Sequence, residues 1–168
     1  MLEARRAVSA AKGMKKKILV VDDDPQVRNS LQKLLRGEGY EVVLAADGQQ
    51  SIERFNTERI DLLLLDLNLP DNSGWDVFGT ITSIDPFLPI IIITGRQNQQ
   101  ELAQGAGVGA LMQKPLDVFM LLQTIAELLA QAPETHLKRL VGLRSDHRYV
   151  APRRPISRTR SQENRGTT

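Results

Sequence analysis

The sequence predicts an α/β domain in which a parallel sheet is covered by helices on both faces. Three observations carry this expectation. The runs "ILVV", "LLLL" and "IIII" are apolar throughout rather than alternating, as strands buried on both faces require. The segments between them place apolar residues at helical spacing. Strand and helix follow one another in five successive units, the order that leads to right-handed crossovers and a parallel sheet.

The first strand is read over residues 17–21 and ends in three aspartates, Asp22 to Asp24. Asp24 before Pro25 is a helix cap followed by a first-turn proline, and Val27, Leu31, Leu34 and Leu35 then fall on one face. Gly37 and Gly39 end that helix. "YEVVLA" alternates as a strand nearer an edge, and Asp47 caps a helix through Phe55, with Ile52 and Phe55 together. "IDLLLLD" is the second buried strand, "NLPDNSG" a turn-rich loop, and "WDVFGTITSI" a helix closed by Asp85-Pro86. Trp75 is expected to begin this helix and pack locally, without a chemical role.

"PIIIIT" is the third buried run, followed by the weakly amphipathic "GRQNQQELAQ" and a glycine-rich turn into a short strand, "GAGVGALMQ". Glycines cost about 1 kcal/mol each inside a helix, so the fourth helix is predicted to be short or frayed. After Lys114-Pro115, a strong amphipathic helix is predicted from Asp117 to about Ala130, with Phe119, Leu122, Ile125, Ala126 and Leu129 facing inward.

Composition removes whole classes of chemistry. There is no cysteine, and the only histidines, His136 and His147, lie near the end, so neither thiol nor histidine catalysis fits the main body. No apolar run has the length of a membrane helix, and the default expectation is a cytoplasmic protein without membrane contact. Hydrophobic residues make up 41% of the chain and aromatics 4%, so the core is aliphatic. Charge divides unevenly: 13 Lys/Arg face 17 Asp/Glu up to Gln131, and 9 face 3 beyond it. An acidic domain thus carries a basic tail.

In a doubly wound sheet, ligand sites form beyond the carboxyl ends of the strands. The residues placed there are Asp22, Asp23, Asp66, Thr94 and Lys114. Crowded carboxylates repel and suit a hard divalent cation, and Mg²⁺ favours one or two carboxylates with water and phosphate oxygens. A carboxylate beside such an ion can attack a phosphoryl group to form an aspartyl phosphate. The Thr94 hydroxyl and Lys114 ammonium are then suited to holding phosphoryl oxygens as charge develops.

The pieces "LVVDDD", "LLLLDLNLP", "IIIITG" and "QKP", in this order on alternating units, resemble the receiver domain of two-component response regulators. The resemblance covers roughly residues 15–131. It implies a flavodoxin-like, doubly wound five-stranded parallel sheet in the order 2-1-3-4-5. It also implies Asp66 as phosphoacceptor, fed from a phosphohistidine of a histidine kinase or a histidine phosphotransfer protein. Mg²⁺ would be met by Asp23 directly, by Asp22 mainly through water, by Asp66, and by Asn68 through its backbone carbonyl. Thr94 and Lys114 would contact the phosphoryl group, with Pro115 completing a Lys-Pro step that is often cis. The domain would catalyse its own phosphorylation and slow hydrolysis without being a conventional enzyme.

Two other uses of a nucleophilic aspartate fit less well. Haloacid-dehalogenase-type phosphatases need a second acid where this chain has Asn68, and a flavodoxin-type phosphate loop is incompatible with "DDDPQ". The chain also departs from the receiver pattern. Leu111 stands three residues before the lysine, where the family commonly has an aromatic whose rotamer follows phosphorylation. Output is therefore expected to differ from the common mode, while Asn68 and Arg96 are placed to influence acyl-phosphate lifetime.

Residues 1–14 are expected to form a disordered leader, 15–131 the domain, and 132–168 a basic tail. The tail should hold one or two amphipathic turns through Leu137, Leu140 and Val141, with disorder beyond Pro152. A nucleic-acid or acidic partner for the tail is the alternative to a solvated segment and is not favoured, since base-reading motifs and interleaved aromatics are lacking.

Overall fold

In a computed structural model, the chain is described over residues 14–70, 74–142 and 148–152. Six strands form one sheet: β1 Lys17–Val21, β2 Glu41–Ala45, β3 Leu62–Asp66, β4 Ile90–Thr94, β5 Ala110–Gln113 and β6 Arg148–Val150. Their order is β2-β1-β3-β4-β5-β6, and every neighbouring pair is parallel. The first five reproduce the expected 2-1-3-4-5 arrangement. The sixth was not foreseen, and it comes from the segment read as tail.

β3 shows why unbroken apolar runs mark central strands. Leu62, Leu63, Leu64 and Leu65 are all fully buried. Leu63 and Leu65 enter one core with Phe55, Val77, Phe78, Ile81 and Ala103. Leu62 and Leu64 enter the other with Leu31, Leu35, Leu121, Ile125 and Leu128. Burying four leucines contributes about 6–12 kcal/mol, an upper estimate against an extended unfolded chain. β2 lies at the sheet's margin and is only half buried, as its alternation suggested.

The helices are α1 Pro25–Gly37, α2 Gly48–Thr57, α3 Gly74–Ile84, α4 Gln100–Gly105, α5 Val118–Ala130 and α6 Pro133–Leu140. α2, α3 and α4 cover the first core, and α1 and α5 the second. Asp24, Asp47 and Asp117 each cap a helix through a side-chain oxygen that accepts a backbone N–H, from Gln26, Gln50 and Met120. Gly39 at φ 88 and Gly107 at φ 72 take left-handed backbone after α1 and α4. α4 is six residues long, short as predicted.

α5 corrects the sequence reading. Its buried face is Leu121, Thr124, Ile125 and Leu128, whereas Phe119 is 74% exposed and Ala126 is exposed. Of the residues expected inward, Ile125 is buried and Leu122 and Leu129 are half-buried. The helix is so apolar that two overlapping stripes exist, and the one aligned with Ile18, Val20, Ile91 and Ile93 is taken. In α6 Leu137 stays exposed, as does Val141 just after it, while Arg139 is buried, its Nη2 donating to Gln131 Oε1 at 2.5 Å. The side chain of Leu140, the leader over 1–13 and the segment beyond Pro152 lie outside what is described.

Candidate functional site

Three strands converge on one edge of the sheet. β1 delivers Asp22, β3 ends in Asp66, and β4 ends in Thr94, all buried to 2% exposure or less. Lys114 follows β5 after Gln113 and is only half-buried. The parallel register fixes this meeting, because Val21 lies beside Leu65, Asp66 beside Ile93, and Thr94 beside Gln113.

Each carboxylate is held by a turn of its own chain. Asp22 Oδ1 accepts the Asp24 N–H at 2.9 Å, and Asp66 Oδ1 accepts the Asn68 N–H at 2.9 Å. Such two-residue side-chain turns bend the chain away from the strand while fixing the carboxylate. The remaining oxygens, Asp22 Oδ2 and Asp66 Oδ2, both accept from Lys114 Nζ at 2.9 Å. Lys114 is 92 and 48 positions away in sequence, so the fold alone brings these groups together.

Burial pulls the pKa of the Lys114 ammonium down, but hydrogen bonds to Asp66 and Asp22 outweigh it and leave the pKa above the ordinary lysine value of 10.5. The lysine is therefore a fixed cation at physiological pH. Against it stand three carboxylates, for exposed Asp23 brings an oxygen within 4.8 Å of those of Asp22 and Asp66. Three hard oxygen donors, two buried and one open to water, fit Mg²⁺ with water completing its shell. Asp22, Asp23 and Asp66 are the side chains that would hold it.

Thr94 sits at the same edge with its hydroxyl turned to its own loop, where Oγ1 accepts the Arg96 N–H at 2.9 Å. Its backbone carbonyl accepts the Lys114 N–H at 2.9 Å, tying the two residues together. Asn68 is exposed and contributes its backbone N–H to Asp66; Arg96 is exposed beyond Thr94. The cis bond between Lys114 and Pro115 matches the expectation for that step.

Sequence reasoning missed two supports. Arg28 reaches back from α1 so that Nη1 donates to the Asp22 carbonyl at 2.6 Å, six positions away and without a motif to flag it. Gly74 opens α3 with its N–H donating to the Leu67 carbonyl at 3.2 Å, so close to β3 that a side chain has no room. The glycine was visible in "NLPDNSG", but only as a turn signal.

Comparison with known proteins agrees with this fold. A family model described as "Response regulator receiver domain" matches residues 18–126. Transcriptional regulatory protein GlrR of Escherichia coli (strain K12) is 36% identical over 121 residues, which cover 70% of this chain and 27% of that protein. Response regulator MprA of Mycobacterium ulcerans (strain Agy99) is 38% identical over 118 residues, covering 69% and 51%. The chain thus spans about a quarter to a half of the length of these curated relatives. Among solved structures, a CheY-like receiver domain protein from Methanospirillum hungatei JF-1 superposes with a TM-score of 0.66 at 31% identity, covering 74% of this chain and 99% of that one. TrrA from Thermotoga maritima, solved in complex with Mg(2+)-BeF, gives a TM-score of 0.63 at 30% identity, with 67% and 98% covered. With the acids, the threonine and the lysine gathered at one edge of a 2-1-3-4-5 sheet, the chain belongs to the response regulator receiver domain family.

Proposed function

We propose that Asp66 is the phosphoacceptor of a signalling switch. The observation that carries this reading is the sharing of Lys114 Nζ between Asp66 and Asp22 at 2.9 Å, with Asp23 at hand, on the ligand-binding edge of the sheet. Asp66 Oδ attacks the phosphorus of a phosphohistidine on a sensor kinase or phosphotransfer protein. A P–O bond forms, the P–N bond breaks, and the released imidazole takes a proton from water. Bound Mg²⁺ supplies charge neutralisation to the carboxylates and phosphoryl oxygens.

The chain's own groups do the rest. The Asn68 N–H orients the attacking carboxylate, the Lys114 ammonium transfers its hydrogen bond from Asp66 to a phosphoryl oxygen, and the Thr94 hydroxyl, its oxygen accepting the Arg96 N–H, donates its proton to another. The domain in this sense catalyses its own loading and, with water admitted past Asn68 and Arg96, its slow hydrolysis. A kinase that draws on ATP implies a cytoplasmic setting.

The test uses the full chain with Mg²⁺ and acetyl phosphate or phosphoramidate, read by phosphate-affinity electrophoresis. The wild type is expected to shift and Asp66→Asn to stay unshifted. An unlabelled wild type, or equal labelling of both, overturns the assignment.

A nucleic-acid partner is a second reading, supported by the similarity of this chain to transcriptional regulatory proteins and by the basic balance beyond Gln131. Part of that segment is committed elsewhere, because Arg148 pairs with Glu127. Binding of duplex DNA by the full chain across a salt series decides it; no salt-dependent binding removes it.

A further inference from the structure

β6 closes an edge that β5 would otherwise present bare. Arg148 lies opposite Ala110, Tyr149 opposite Leu111 and Val150 opposite Met112. Paired residues of a parallel ladder project to the same face, so Tyr149 stands with Leu111 on the α2–α3–α4 side. Arg148 and Val150 stand on the α1–α5 side, where Val150 packs against the second core and Arg148 Nη1 donates to Glu127 of α5. The Tyr149 hydroxyl donates to Gln113 Oε1 at 2.9 Å. β6 is the shortest of the described strands, and Tyr149 remains 39% exposed. A three-residue edge strand with exposed bonds is the kind of element that opens locally at low cost.

Gln113 makes this more than an edge cover. Its backbone is in register with Thr94, and the next N–H, that of Lys114, donates to the Thr94 carbonyl. The residue that holds Tyr149 is thus attached to both groups that must turn toward a phosphoryl group when Asp66 is loaded. Lys114 has to release an Asp66 oxygen, and the Thr94 hydroxyl, while still accepting the Arg96 N–H, has to aim its own proton at a phosphoryl oxygen. Leu111 is fully buried in the first core and has no polar atom with which to report such a change. Tyr149, directly opposite it, has one.

We infer that β6 is a phosphorylation-sensitive strap, docked on β5 while Asp66 is free and released from that edge when Asp66 carries a phosphoryl group. The Tyr149–Gln113 hydrogen bond is the contact that reads the site. The inference rests on the phosphoacceptor reading of Asp66. By linkage, a strap loosened by phosphorylation must, when loosened by other means, favour phosphorylation by the same factor.

Hydrogen exchange with mass spectrometry on the full chain, with and without Mg²⁺ and phosphoramidate, tests this, and intact mass on the same samples gives the loaded fraction. Amides of 148–150 are expected to exchange at least about five-fold faster in loaded protein, the scale of one exposed hydrogen bond. Tyr149→Phe keeps the ring and removes only the hydroxyl. It is expected to show the faster exchange without donor and to raise the loaded fraction at limiting donor by a similar factor. A mass gain with unchanged protection at 148–150 overturns the strap and leaves the phosphoacceptor reading standing. Tyr149→Phe with wild-type loading overturns the coupling, and no mass gain in the wild type removes both readings.

Discussion

Two alanine substitutions on one helix should act in opposite directions, and their contrast tests how tightly α3 is built against β3. At Gly74, an added Cβ would lie 2.5 Å from the Leu67 Cα and 2.7 Å from the Asp66 carbonyl oxygen. Ordinary contact begins at 3.4 Å, so the strand end or the helix must yield by about 0.7–0.9 Å. Both obstacles are backbone atoms, and neither can turn aside as a side chain would. Overpacking costs about 1–3 kcal/mol, and the upper half of that range applies when backbone has to move. At about 2–4 °C per kcal/mol, Gly74→Ala should lower the melting temperature by roughly 4–12 °C. Because the displaced carbonyl belongs to Asp66 itself, labelling by a small phosphodonor should slow by roughly 10- to 100-fold.

Gly79 sits mid-helix and exposed, with nothing within 4 Å of an added Cβ. There alanine should stabilise by about 0.5–1 kcal/mol and leave labelling unchanged. Thermal unfolding by circular dichroism and time courses of labelling, run on both variants, give the comparison. A Gly74→Ala protein that melts within about 1 °C of wild type and labels at the wild-type rate would refute the reasoning.

Other consequences follow from the same geometry. Asp23 brings a third carboxylate within 4.8 Å of two others, a repulsion of about 1 kcal/mol in water-like surroundings. Asp23→Asn should therefore raise the melting temperature in chelator, and fall below wild type at millimolar Mg²⁺, where the wild type gains binding energy; a variant less stable in both conditions excludes the metal role. The Arg148 hydrogen bond holds the Glu127 carboxyl below its ordinary value of 4.5. A lowered folded value supports the docked strand above that pH and is lost as pH falls through it. Protection of β6, corrected for intrinsic exchange, should therefore drop below about pH 4.5 in wild type but not in Glu127→Gln. Trp75, the sole tryptophan, donates from Nε1 to Gln99 Oε1 at 3.1 Å, joining α3 to the loop beyond Thr94. Its emission should shift on adding Mg²⁺ and phosphodonor to wild type but not to Asp66→Asn, and identical spectra would separate that loop from the site.

The parts legible in the sequence were those decided locally. Unbroken Leu and Ile runs read as central strands because both faces of β3 and β4 are buried, and a strand end in such a sheet is where chemistry gathers. Capping aspartates announced two helices, at Asp24 and Asp47, for an equally local reason, and Asp117 caps a third that was read from its amphipathic pattern. The errors arose where tertiary context chooses between local equals. α5 offers two apolar stripes, and the sheet selects Leu121–Ile125–Leu128 over Phe119–Leu122–Ala126. β6 is three residues, Arg-Tyr-Val, amid basic sequence, and exists through backbone pairing with an edge rather than any apolar run. Tyr and Val favour strands, but so short a signal has no weight without the edge beside it. Arg28 was invisible because its partner is a carbonyl, which every residue has.

Asp66 at 2% exposure also bears on the proposed switch. Isolating a carboxylate from water costs several kcal/mol unless it is met, and here the meeting is partial by construction. One ammonium serves two buried carboxylates, and the third acid, Asp23, faces water and adds negative charge without adding a donor. The leucines of β3 supply enough burial to hold this imbalance in place, so the site does not need to be a local minimum for the domain to fold. Because Lys114 stays charged through the physiological range, its choice of partner, not its protonation, is the variable. A phosphoryl group on Asp66 would offer that ammonium a more highly charged acceptor, and the response has to pass through the chain that carries it. That chain is β5, whose outer edge is held by three residues.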